Sequence, residues 1–256
     1  MRVLRLLVLG WAVNLKMLSK SAFDGLLAVL WPLFFATIAF LMYRVGSDPH
    51  TLLYASLGSS VMGIWTATSV SSSNALQRQR WFGTLELLVA APVNFALILL
   101  PITIATSTVG VYCMAATLLW GRVLFGIDVH FTHPFLFALA VPATIVAIGM
   151  LGFLLSVAFV RFRQSWALGY MLEYPVWLVC GFLVPISLFP GWVRPISWAL
   201  APTWGMRAIR AAASGGAPLP NIGVCVLLGL GYASVGVLLV ERVLRSARDR
   251  ATISLT

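Results

Sequence analysis

Charged residues are scarce in this chain, and their scarcity sets its class. Only 9% of the 256 residues are Asp, Glu, Lys or Arg, whereas 61% are apolar, and the mean hydropathy is +0.97. A soluble globular domain carries about 25% charged residues. The composition therefore excludes a soluble protein and predicts one all-α integral membrane domain over residues 1–256, with no soluble domain.

The residue sets that support catalysis are also missing. The chain has only two lysines, Lys16 and Lys20, and neither follows a glycine, so it has no phosphate-binding Walker loop. It has no paired carboxylates, no Ser/His/Asp set and no HExxH motif. We therefore expect a protein that is not an enzyme by itself and that binds no cofactor.

Metal-binding patterns are weak. His130 and His133 lie three residues apart near Asp128, but a polar loop explains this spacing more simply than a metal site does. The three cysteines have no metal-like spacing and are expected to be buried free thiols. They are Cys113, Cys180 and Cys225. We predict no metal site.

Six apolar stretches are long enough to cross a bilayer, which takes about 20 residues. They are Gly25–Tyr43, Leu52–Ser72, Phe95–Leu119, Pro134–Val160, Ser165–Leu188 and Asn221–Val240. The second is the weakest of the six because it contains many Ser and Thr residues. The pattern predicts six transmembrane helices.

The basic residues lie mostly on one side of these stretches. Twelve of the 17 lie on the same side: before span one, between spans two and three, between spans four and five, or after span six. Basic residues in short loops favour the cytoplasm. We therefore predict a multi-pass protein of the cytoplasmic (inner) membrane with both termini inside, and we attribute the net charge of +10 to orientation and lipid contact rather than to nucleic-acid binding.

The N-terminus, residues 1–22, has apolar residues at helical spacing, but Arg5, Lys16 and Lys20 interrupt its apolar character. This pattern is not that of a cleavable signal peptide and predicts an interfacial helix along the inner leaflet. The alternative is a simple extension of span one.

The outer segment Phe189–Pro220 is too apolar for an exposed loop, and its prolines divide it into pieces too short to span. It predicts re-entrant outer helices between spans five and six, shielded by other helices. We place Trp192, Trp198 and Trp204 on a candidate substrate path; the alternative is an interfacial aromatic belt.

Two features inside the spans indicate contacts. Glu173 lies about 12 Å into span five, where an acid is costly, and it either lines the substrate path or makes a structural hydrogen bond. Small residues at four-residue spacing predict close helix packing, within one subunit or across a dimer. They are Ser59, Gly63, Ala67 and Ser71.

A short basic amphipathic stretch, Gln77–Leu88, separates spans two and three. It is too polar for the bilayer interior, so it is expected at the membrane surface, where a soluble partner can contact it. The alternative is a solvated loop whose charges only set orientation.

Two motifs carry a family resemblance. They read Gln79-Arg80-x-x-Gly83-Thr84-Leu85-Glu86-Leu87-Leu88-x-x-x-Pro92 and Gly181-Phe182-Leu183-Val184-Pro185…Leu188-Phe189-Pro190-Gly191-Trp192…Pro195…Pro202-Thr203-Trp204…Arg207-Ala208-Ile209-Arg210. With the six-span layout, they resemble the permease subunit of ABC-2 type exporters, of the bacterial multidrug and daunorubicin-resistance kind. Gln79 departs from the glutamate that is usual in the family.

The resemblance implies a mechanism. A coupling helix containing Gln79, Arg80, Gly83, Thr84, Leu85 and Glu86 would contact a separate ABC ATPase chain that binds ATP and Mg. A second permease copy or a paralogue would complete an exporter that works by alternating access. The substrate would be hydrophobic or amphipathic, such as a drug, an antibiotic or a lipid. The alternatives are a polysaccharide or glycolipid exporter, a stand-alone secondary transporter that uses Glu173, and a membrane scaffold.

Overall fold

The computed structural model describes residues 2–20, 30, 33, 34, 36–38, 40, 41, 49–81, 96–126, 131–159 and 165–250. Within these ranges the chain is helical and contains no strand, which confirms the all-α prediction. The helices are α1 Arg2–Lys20, α2 Pro49–Trp81, α3 Ala96–Phe125, α4 Pro134–Phe159, α5 Ser165–Val179, α6 Val193–Trp198, α7 Ala201–Ser214 and α8 Pro218–Arg250, with a 3-10 turn at Ile186–Leu188.

Among the residues that the structure describes, three helical stretches are both long and apolar enough to cross a membrane: Ala96–Phe125, Pro134–Ala158 and Pro218–Val240. They coincide with predicted spans three, four and six, so the chain is a multi-pass membrane protein. Predicted span two lies within α2, a continuous helix of 33 residues that is less apolar because of its Ser and Thr residues.

The prediction of one span over Ser165–Leu188 is wrong about where the helix ends, because α5 stops at Val179. Gly181 adopts a φ of 71°, a left-handed conformation that glycine adopts without steric cost. The Phe182 N–H donates to the Trp177 carbonyl and the Gly181 N–H to the Leu178 carbonyl, which is the bond pattern of a Schellman cap. The residues that follow the helix are still apolar in part because they pack inside the protein: Phe182 is buried in the core.

Helices α2 and α3 pack antiparallel through small residues. A Cβ on Gly110 would lie 2.6 Å from the Ile64 Cα, and the hydroxyls of Thr68 and Ser107 lie 2.7 Å apart. Absence of a side chain lets the backbones approach closely, and hydroxyl pairs then link the helices without water. This pair forms the centre of the described bundle.

Helix α4 contacts α7 on one side and α8 on another. Along α8, Gly229 faces Ala147 and Gly236 faces the Phe153 ring, so the two helices run parallel. Gly205 of α7 lies against the Thr144 side chain. Near the start of α4, the His133 N–H donates 3.0 Å to the Ala212 carbonyl, so α7 runs antiparallel to α4.

Helix α1 packs across α3. The Trp11 indole Nε1 donates 3.1 Å to the Thr108 hydroxyl, and Gly10 lies against the Pro101 ring. Arg5 and Lys16 are exposed on the opposite side of the helix. Helix α1 is thus amphipathic as predicted, and part of its apolar face contacts protein.

Candidate functional site

Glu173 lies on α5 and is only 5% exposed. Its Oε1 accepts a 2.6 Å hydrogen bond from the Thr66 hydroxyl of α2. The Tyr54 hydroxyl of α2 donates 3.3 Å to the Gly181 carbonyl just beyond α5. Two polar contacts therefore join these antiparallel helices. Thr66 is therefore the partner for the structural hydrogen bond that the sequence allowed for Glu173. The carboxyl group remains a candidate for the substrate path.

The three tryptophans of the candidate path lie around α6 and α7. Trp192 and Trp198 are exposed, with 69% and 54% of their surface accessible, and Trp204 is half-buried. The Trp204 Nε1 donates 2.8 Å to the Trp198 carbonyl, and the Arg207 guanidinium lies 5.0 Å from the Trp204 ring centroid. The structure thus brings Trp198 and Trp204 together, whereas the hydrogen bond of Glu173 goes to α2.

The junction between α6 and α7 is hydrogen-bonded to Tyr232, a residue near the middle of α8. The Tyr232 hydroxyl donates to the Ala199 carbonyl and accepts a 3.1 Å bond from the Ala201 N–H. The Cys225 thiol lies 3.5 Å from the Ala201 carbonyl oxygen. Tyr232 is about 21 Å from the start of α8 at helical rise. The chain therefore runs in toward the middle of the bundle at the junction and returns along α7.

The predicted small-residue stripe lies on α2 with its first members inside the protein. Ser59 and Gly63 are buried, Ala67 is half-buried, and the Ser71 side chain lies outside the described residues. The Ser59 hydroxyl donates 2.9 Å to the Ala55 carbonyl of its own helix. Whether this stripe also serves a dimer contact stays a prediction.

Sequence reasoning missed the contact made by Arg210 on α7. Its Nη1 donates 2.8 Å to the Gly181 carbonyl and its Nη2 donates 2.6 Å to the Phe182 carbonyl. The guanidinium carbon lies 3.2 Å from the Tyr54 ring centroid. We call these four residues the Arg210 clamp. The positive charge suits the carboxyl end of α5, where the backbone carbonyls lack helical partners.

One sequence signal pointed to this contact. Residues 174–240 contain Arg194, Arg207 and Arg210 but no Asp or Glu. A buried arginine in such a stretch must find carbonyl oxygens or an aromatic face, because an unpaired buried charge is costly. Which of the three arginines meets such partners depends on the folding of the segment and was not visible in the sequence.

The remaining predicted site residues are only partly covered. Gln79 and Arg80 lie in the last turn of α2, whereas Gly83, Thr84, Leu85 and Glu86 lie outside the described residues. Of the histidine pair, His133 is exposed and His130 lies outside those residues. Among the residues that the structure describes, no group of His, Cys, Asp and Glu could hold a metal ion.

The model of one protein family, described as ABC-2 type transporter, matches residues 4–213. The match begins in α1 and ends near the last residue of α7, so it includes the Arg210 clamp and the three tryptophans. No curated protein matches the chain.

Proposed function

The chain belongs to the ABC-2 type transporter family, and on this basis we propose that it is the permease subunit of an ATP-driven exporter for a hydrophobic or amphipathic substrate. The family comprises membrane subunits that are not themselves catalytic, and it implies an ABC ATPase partner and a dimeric arrangement. The family match over residues 4–213 is the observation that carries the proposal. Export, rather than import, is our inference from the resemblance of the two motifs.

Energy would enter through the stretch after α2. Gln79 and Arg80 extend this helix toward Gly83–Glu86, and we propose that the stretch is a coupling helix seated in a groove of the ATPase. ATP and Mg would bind the ATPase chain, and nucleotide-driven closure would tilt α2 between inward and outward access. A second copy of this chain or a paralogue would supply the other half of the pathway.

We propose that the chain crosses the cytoplasmic (inner) membrane six times, with both termini in the cytoplasm. Helices α6 and α7 are proposed to be re-entrant. The antiparallel pairing of α2 with α3 and α5, and the parallel pairing of α4 with α8, support this order of crossings. The contact of Tyr232 with the α6–α7 junction supports re-entry. Backbone at membrane depth is tolerated where protein shields it, and Tyr232 satisfies two of its polar groups.

The substrate path is proposed to pass Glu173, Trp192, Trp198 and Trp204. Aromatic rings offer flat apolar surface with a polar edge, which suits an amphipathic molecule. A drug, an antibiotic or a lipid fits this surface and the drug-resistance kind of exporter that the motifs resemble. A polysaccharide or glycolipid, which would also stack on aromatic rings, is the alternative substrate class.

The coupling proposal is tested with Gly83→Trp and Glu86→Arg. We expect both variants to insert normally but to lose ATPase co-purification or to separate ATP hydrolysis from substrate efflux. The controls are the same glycine change at Gly231→Trp on an open face of α8, and the comparable charge reversal Asp249→Arg near the end of that helix. Unchanged co-purification and efflux in the two test variants would refute a coupling helix at this stretch.

Orientation is tested with single cysteines in a chain whose native cysteines are replaced. A cysteine at Arg78 or Arg248 should resist a membrane-impermeant thiol reagent in intact cells, because both sites are predicted to be cytoplasmic. A cysteine at Asp128 should react. Reaction at Arg78 from outside would contradict the six-span arrangement.

A further inference from the structure

The Arg210 clamp joins three parts of the chain at one point. Arg210 comes from α7, the carbonyls of Gly181 and Phe182 follow α5, and Tyr54 belongs to α2. The Tyr54 hydroxyl also donates to the Gly181 carbonyl at 3.3 Å. One guanidinium therefore holds the outer end of α2 to the unit that contains α6 and α7.

The clamp binds its two sides unequally. Toward α5, Arg210 makes two short charged hydrogen bonds, of 2.8 and 2.6 Å. Toward α2 it has the face of the Tyr54 ring and a longer bond, of 3.4 Å, to the Tyr54 carbonyl. A ring face tolerates displacement better than a directed bond does, because the quadrupole attraction does not require one exact position. The contact with α2 is therefore the side of the clamp that can adjust to a tilt of α2 without being lost.

The backbones are in close contact next to the clamp. Gly58 of α2 lies directly against the Phe182 carbonyl, which occupies the space that a side chain at position 58 would need. The absence of a side chain on Gly58 lets the backbone of α2 contact the Phe182 carbonyl directly, so a movement of α2 at this point presses on the segment that Arg210 holds. Farther along the same helices, the hydrogen bond between Thr66 and Glu173 is another link.

Helix α2 connects this point with the proposed coupling helix. It is continuous from Pro49 to Trp81, and Gln79 lies about 38 Å from Tyr54 at helical rise. A continuous helix transmits a tilt from one end to the other. We propose that Arg210 is a positioning residue that carries movement of α2 to α6 and α7, by holding the end of α5 and keeping its contact with the Tyr54 ring while α2 tilts. This proposal rests on the proposed function, because it requires an ATPase that moves α2.

The test uses the buried native Cys180, which is 2% exposed and precedes Gly181 in the chain. In a chain carrying Cys113→Ala and Cys225→Ser, purified with its ATPase, the labelling rate of Cys180 by N-ethylmaleimide is measured with and without a non-hydrolysable ATP analogue. We expect the analogue to change the rate several-fold. In Arg210→Lys, which keeps the charge but loses the two-pronged geometry, and in Tyr54→Leu, which loses the ring, we expect the analogue to have no effect.

Matched controls make the same changes at exposed positions: Arg194→Lys on α6 and Tyr112→Leu on α3. They should keep the response to the analogue, as should Tyr54→Phe, which keeps the ring. An analogue that leaves the Cys180 rate of the parent chain unchanged would overturn the proposal, and so would a normal response in either clamp variant. If a clamp variant fails to fold, the effect of the analogue on the Cys180 labelling rate in the parent chain and in Tyr54→Phe still tests the proposal.

Different results would refute the proposed function and the role of the clamp. Failure of any ATPase to co-purify with the parent chain would refute the proposed function. A parent complex that hydrolyses ATP, but whose Cys180 rate does not respond to nucleotide, would refute only the role of the clamp. A merely structural role predicts that Arg210→Lys lowers the yield of the complex and leaves the response to nucleotide unchanged.

Discussion

Helices α7 and α8 follow each other in the chain, yet their composition and burial are opposite. Helix α7 contains two arginines and many small residues, and nine of its 14 residues are buried. Helix α8 is far more apolar over Pro218–Val240, but only 17% of its most apolar stretch is buried within the protein. In this chain, apolar character does not identify the core.

The physical reason is that lipid is as apolar as leucine. Large apolar side chains gain little by leaving lipid, so they remain on the surface of α8, as Leu227 does. Close backbone approach and hydrogen bonds hold helices together instead, and these need small or polar residues. Gly205 against Thr144 and the clamp of Arg210 are the examples in α7.

The strongest way to break this comparison is to add a side chain to α7. In Gly205→Leu the new Cβ would overlap the Thr144 side chain, so α7 must move away from α4. Overpacking typically costs about 1–3 kcal/mol or more, and we expect a clear loss of thermal stability in detergent. Gly231→Leu on α8, where nothing lies within 4 Å, is the matched control and should melt like the parent protein. Equal melting temperatures would show that α7 is not tightly packed.

A second comparison removes side-chain volume instead. Ile209 of α7 is fully buried, and Ile209→Ala should destabilise the protein by about 2 kcal/mol or more because it leaves a cavity. Leu227 of α8 is 69% exposed, and Leu227→Ala should change stability by less than about 0.5 kcal/mol. Denaturation of both variants in the same detergent measures the difference. A larger effect at Leu227 would indicate that another protein surface, such as a second subunit, covers this face.

The smallest expected effect is at Glu173. Glu173→Gln keeps a carbonyl oxygen that can accept the hydrogen bond from Thr66, so the link between α2 and α5 should persist with little change in melting temperature. If Glu173 lines the substrate path, efflux should nevertheless fall while complex assembly and yield stay normal. Thr66→Val is the companion variant, because it removes the donor and leaves the carboxyl group. Normal efflux and stability in Glu173→Gln would remove this residue from the substrate path.

The sequence was sufficient for the three long apolar helices and failed at the end of α5. Spans three, four and six are uninterrupted apolar runs of the length that a bilayer requires. The same criterion extended span five to Leu188, because the residues from Cys180 to Leu188 are apolar in composition. Composition cannot show that Gly181 adopts a left-handed conformation and turns the chain.

The candidate site was predictable to a similar extent. The prolines and tryptophans of Phe189–Pro220 indicated broken helices, and α6 and α7 are indeed short helices separated by a turn. The pairing of Trp198 with Trp204 and of Glu173 with Thr66 involves residues on different turns or helices, so no local pattern revealed it. The stripe from Ser59 was visible because its spacing is regular, whereas the close contact of the neighbouring Gly58 was not.

By itself, the sequence determined that this chain is a helical membrane protein, because too few charges and too many apolar residues leave no other stable environment for it. It also determined the family, since the motifs that carry the resemblance are local. Only the tertiary structure decided which polar groups meet. Arg194, Arg207 and Arg210 share one acid-free segment, and the fold alone brings Arg210 to the Gly181 and Phe182 carbonyls, because backbone carbonyls at the end of a helix lack helical partners.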